Sequence, residues 1–167
     1  MQISGTATCS VVESTAQATV GEARLKARRE THRMSVPNRR SSALIAEFPE
    51  ALAALSVDVQ ATLRADCRNA EGADGWTLSS QQDLRSLDLD RIADAVADEL
   101  DRSSGTSVAL VWLSDNDGIK IRRELLASLF DELWYPASDD VVMRLDGDLS
   151  MLVVLDHEEV LSVFERA

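Results

Sequence analysis

The 167-residue chain reads as an α+β domain: two amino-terminal helices, then β-α-β-β-β, with the strands forming a small sheet covered by helices. Three patterns lead there. Apolar residues repeat at spacings of three and four over residues 43–68 and 84–100, an uninterrupted apolar run covers residues 108–113, and an Asp-Gly turn separates two apolar stretches near the carboxyl end.

Leu44, Ile45, Phe48, Leu52, Leu55, Val59 and Leu63 share one helical face across residues 43–68, and Pro49, tolerated in a first turn, marks the start of the main helix. Residues 69–80, with Gly72 and Gly75, read as a loop carrying Trp76. Ser79 and Gln82 have the spacing of a capping box opening a second helix through Arg102, with Leu84, Leu87, Ile92, Val96 and Leu100 as its buried face. Residues 108–113, bounded by Gly105 and Asp115, lack polar alternation, the pattern of a strand covered on both faces. Ile121, Leu125, Leu129 and Leu133 recur every four residues, widened by Leu126 and Phe130, and predict that this strand leads into a helix. Residues 141–145 and 149–155 flank Asp146, Gly147 and Asp148, a hairpin signal, and residues 160–164 supply a last strand. No internal repeat is present.

Charge divides the chain. Residues 1–42 hold seven basic and three acidic residues, a charge of +4, so residues 43–167 carry −16 of the net −12. Every aromatic residue lies in that second part. Residues 1–42, rich in Ser, Thr and Ala, read as a disordered basic tail, and residues 43–167 as a single acidic domain. The tail has three readings: an Arg-rich transit peptide, a basic binding arm, or upstream sequence before a start at Met34. The acidic excess repels nucleic acid and anionic lipid and favours a basic partner. No apolar run nears the roughly 20 residues a bilayer span needs, and Cys9 and Cys67 share no metal-like spacing with His32 or His157. The expectation is a cytoplasmic chain with no cofactor, no metal and no membrane or nucleic-acid partner.

Three segments carry candidate chemistry. Asp115, Asn116, Asp117 and Gly118 resemble the Asp-x-Asp-Gly of haloacid-dehalogenase-type phosphatases, although such enzymes need a further lysine and acidic pair, and fewer than 50 residues follow Gly118. The same residues, with Glu124, match part of an EF-hand loop whose first position, Leu113, lacks the required carboxylate. The competing reading is a strand-to-helix turn capped by Asp115 or Asp117. In the second segment, Trp134 and Tyr135 stand beside Pro136 and precede Asp139 and Asp140, as interface aromatics with an acidic rim; alternatively Trp134 closes the core and Ser138 or Asp139 caps backbone amides. In the third, His157 among Asp156, Glu158 and Glu159 is a metal half-site, an acid/base group or a solvated acidic turn. No Gly-x-Ser-x-Gly occurs, and no glycine-rich loop ends in Gly-Lys-Ser/Thr, which excludes nucleotide hydrolysis of the P-loop kind.

The run Trp134-Tyr-Pro-x-Ser-Asp-Asp140, then strand, turn, strand and His157-Glu-Glu, resembles small uncharacterised bacterial proteins, some of the immunity type that neutralise polymorphic toxins. The likeness is confined to the chain from Trp134 onward. It implies a protein-binding role with no catalytic residues. The function expected is therefore an acidic binding module, of immunity or inhibitor type, docking a basic effector such as a nuclease. Its contacts would be Trp134, Tyr135, Asp139, Asp140, His157, Glu158 and Glu159. The alternative is a small metal-dependent hydrolase using Asp115, Asp117 or His157.

Overall fold

A computed structural model describes residues 40–72 and 75–166. Their elements run α1 (Arg40–Glu47), β1 (Leu52–Ala54), α2 (Val57–Glu71), β2 (Trp76–Asp83), α3 (Leu89–Leu100), β3 (Ser107–Trp112), β4 (Asp117–Arg122), α4 (Phe130–Leu133), β5 (Val141–Leu145), β6 (Met151–Leu155) and β7 (Val160–Arg166). The mixed α and β composition agrees with the sequence reading. The seven strands form one sheet in the order β1-β4-β3-β5-β6-β7-β2, every neighbouring pair antiparallel.

Strands β3, β5 and β6 are buried along their whole length. Side chains alternate between two apolar layers: Leu110, Trp112, Met143 and Val153 meet Ile92, Val96 and Leu100 of α3, while Val111, Val142 and Leu152 meet Leu63, Cys67 and Ala70 of α2. Because both faces are covered, polar alternation has no place in these strands. Burying a large aliphatic side chain is worth about 1.5–3 kcal/mol, so the two layers dominate the stabilising side of folding.

Several expected elements are replaced. The single helical face over residues 43–68 is cut by β1, where Leu52 pairs with Ile121, and α2 starts afresh at Ser56, whose hydroxyl accepts from the Val59 amide. Ser79 and Gln82 cap nothing, for both lie in β2. The helix begins instead at Asp88, whose carboxylate accepts from the Arg91 amide at 3.0 Å. Residues 117–122 form β4, antiparallel to β3, rather than entering a helix. There the alternation of Ile119 and Ile121 with Lys120 outweighs the four-residue spacing, because hairpin pairing also satisfies the β3 backbone. Two 3₁₀ turns, Arg123–Leu125 and Ala127–Leu129, then lead into α4.

Gly118 is required by this hairpin, since a Cβ there would stand 2.7 Å from the Leu110 carbonyl oxygen. Gly147, at φ 85°, makes the expected turn between β5 and β6. The expected tail falls outside the described residues as far as position 39, but Arg40, Ser41 and Ser42 belong to α1. Among the described residues no helix is long and apolar enough to cross a membrane.

One ion pair sits inside the α2 layer. Arg144 of β5 donates from Nη1 to Asp66 Oδ2 of α2 at 2.7 Å, and Arg166 Nη2 lies 3.5 Å from Asp66 Oδ1. Both Asp66 and Arg144 are buried. Removing one partner of a buried pair strands the other, whereas replacing both with apolar groups is close to neutral. Asp66→Asn should lower unfolding free energy in urea by about 3–5 kcal/mol, and Asp66→Leu combined with Arg144→Leu should recover most of that loss. A loss for the single variant no larger than that of an exposed pair would show that solvent reaches the site.

Candidate functional site

The three segments singled out by sequence all become turns, and they contain the three described non-glycine residues with left-handed backbone: Asn116 (φ 52°), Ala137 (φ 62°) and Glu159 (φ 63°). Asparagine adopts this region readily. Alanine and glutamate do so at a cost of about 1–2 kcal/mol, and surrounding hydrogen bonds must hold them there.

The first turn joins β3 to β4, so the strand-to-helix setting shared by the phosphatase and capping readings is not formed, and neither is the helix-loop-helix of an EF-hand. Its aspartates instead hold the start of α1. Asp117, buried, accepts from the Ser41 amide and hydroxyl, both at 2.8 Å, and from the Gly118 amide at 2.9 Å. Asp115 lies 3.9 Å from the Arg40 guanidinium.

The second turn closes around the same arginine. Arg40 donates from Nη1 to Asp139 Oδ2 at 2.8 Å and from Nη2 to the Leu133 carbonyl at 3.1 Å, and its guanidinium lies over the rings of Trp112 and Tyr135. Asp139 Oδ2 also accepts from the Tyr135 amide, and its carbonyl accepts from Trp134 Nε1 at 2.8 Å. Trp134 has no exposed surface and packs against Phe130. With Arg40 in place Trp134 and Asp139 are interior groups, so neither belongs to the exposed surface on which the expected docking set was drawn. Tyr135 is half-buried.

The third turn packs on the second. The Ala137 amide donates to the His157 carbonyl, and Asp140 Oδ1 lies 2.8 Å from both the backbone nitrogen and Nδ1 of His157. Asp156 Oδ1 accepts from the amides of Glu158 and Val160, fixing the tight turn into β7. Asp140 and His157, 17 residues apart, thus form one surface with Glu158 and Glu159; their side chains are 40% and 53% exposed. Arg85, paired with Asp83, is near enough to feel Glu158 and Glu159.

Among the described residues no group of three or more His, Cys, Asp and Glu side chains is placed to hold a metal ion. Cys67 is buried on the sheet-facing side of α2, and burial pushes its thiol up to about 11, far from a reactive thiolate. No protein-family model, curated protein or solved structure matches the chain.

Sequence reasoning missed Arg40, assigned to the tail, and the Asp66–Arg144 pair. A signal for the second was present, since an arginine inside an apolar strand requires a buried carboxylate.

The hydrogen bond from His157 to Asp140, then the Asp140 charge, with Glu158 and Asp156 adding, raises the histidine pKa above its ordinary value. The stability this pair contributes is complete below the unfolded-state pKa of about 6.5 and is lost as pH rises through the higher folded-state value. Asp140→Asn should return the His157 titration, followed by NMR of the ring protons, toward the ordinary value. An unmoved midpoint would mean that Asp140 does not hold the imidazolium.

Proposed function

We propose that the chain is a cytoplasmic acidic binding module whose face is the joined pair of turns, with Asp140, His157, Glu158, Glu159 and the exposed part of Tyr135 meeting a basic protein. The observation that carries this reading is the joining itself. Two segments distant in sequence are hydrogen-bonded into one end of the sheet, with left-handed Ala137 and Glu159 held in place and carboxylates turned toward solvent. Strained backbone kept where it displays charge is better explained by recognition than by packing. The charge of −16 over residues 43–167 extends the same field, which steers a cationic partner and repels anionic ones. The resemblance from Trp134 onward implies a protein-binding role, and with the acidic charge it favours an inhibitor of immunity type acting on a basic effector such as a nuclease. No residue is assigned a catalytic role.

The test uses a basic protein captured by the full chain. Combining Asp140→Asn, Glu158→Gln and Glu159→Gln should slow its association about tenfold at low salt and flatten the salt dependence. The dissociation rate should change less, and the melting temperature should fall by only a few degrees, because Glu158 is exposed, Asp140 and Glu159 are only partly covered, and a solvent-accessible pair such as Asp140–His157 contributes little. Unchanged association kinetics would remove this face from the interface.

A further inference from the structure

The Arg40 guanidinium occupies a site with the features of a recognition pocket. It lies 4.5 Å from the Trp112 ring centroid and 4.9 Å from that of Tyr135. Nη1 donates to the buried carboxylate of Asp139 and Nη2 to the Leu133 carbonyl, while Asp115, 45% exposed, stands at the solvent side. Two aromatic faces, a carboxylate and a carbonyl together select a planar, delocalised cation over a compact ammonium, because a guanidinium can both stack and present a fork of donors. The walls are fixed without Arg40. Trp112 Nε1 donates to the Leu133 carbonyl at 2.7 Å, Asp139 accepts from the Tyr135 amide at 3.0 Å, and Trp134 Nε1 anchors the Asp139 carbonyl.

The occupant stands at the start of one short helix, held there by Asp117 through the Ser41 amide and hydroxyl. That helix, α1, is eight residues long with Ser41 and Leu44 as its buried residues, and a helix of that length does not persist alone in water. Arg40 Nε is moreover buried without a hydrogen-bond partner. The resident arginine thus leaves one donor unsatisfied, and a guanidinium arriving on a different stem can turn that edge to solvent.

We propose that Trp112, Tyr135, Asp139 and the Leu133 carbonyl form a guanidinium-binding site, filled in cis by Arg40, which an arginine side chain of another polypeptide enters when α1 lifts away. The inference goes beyond the binding face described above, since it names the side chain recognised and does not depend on which protein supplies it.

Arg40→Ala in the full chain empties the site. N-acetyl-arginine amide at millimolar concentration should raise the melting temperature of this variant saturably by several degrees, and N-acetyl-lysine amide at equal ionic strength should not. Adding Asp139→Asn should abolish the response. In the wild-type chain the arginine compound should accelerate hydrogen exchange of the α1 amides as it displaces Arg40. If Arg40→Ala does not fold, Arg40→Gln, which keeps a donor for Asp139, is read in the same way. Equal responses to the arginine and lysine compounds, or a response that survives Asp139→Asn, overturn the site. Unchanged exchange of the wild-type α1 amides overturns the displacement, as does stabilisation of the variant by methylguanidinium but not by the arginine compound.

Discussion

Arg40 is the point at which four parts of the chain meet: α1 supplies it, the β3–β4 turn brings Asp115 beside it, Trp112 and Tyr135 lie under it, and Asp139 neutralises it. A buried guanidinium is tolerable only with such a set, since breaking a buried pair costs about 3–5 kcal/mol. With Asp117 gripping Ser41 next to it, the same corner fixes where α1 begins and how the turn after α4 is folded. It also sorts the carboxylates. Asp139 and Asp117 are consumed inside the protein, whereas Asp140, directly after Asp139 in sequence, points to the surface and joins His157.

The sheet imposes the complementary constraint. With β3, β5 and β6 buried on both faces, its centre has no polar surface to offer, and recognition must use turns, edges or the outer faces of helices. The two joined turns at the ends of β5, β6 and β7 are such a place. They are mounted on strands of the buried sheet, so the exposed charges keep a fixed spacing, and on the proposed function that would lower the entropy lost on docking.

Legibility in the sequence followed the range of the forces involved. Strands β3, β5, β6 and β7 and the buried face of α3 at Ile92, Val96 and Leu100 could be read because burial leaves an unbroken or periodic apolar signal. The strand β2 could not, for Thr77, Ser79, Ser80, Gln81 and Gln82 are polar and become a strand only by pairing with β7, some 80 positions away. Likewise β1 has three residues, and its pairing with β4 is invisible to local spacing. At the site, the nearness of Asp140 to His157 and the withdrawal of Trp134 and Asp139 into the interior were equally non-local. The pattern of residue types marked the segments that become these turns without showing which members face outward.

The central claim is that the turns at residues 135–140 and 156–159 act as one docking surface for a basic protein. Hydrogen–deuterium exchange of the full chain, with and without a captured basic partner, tests it most directly. The account predicts that both segments gain protection together, with β3 and α2 unchanged. Protection confined to the β2 edge or to α3, leaving both turns exchanging as in the free chain, would contradict it.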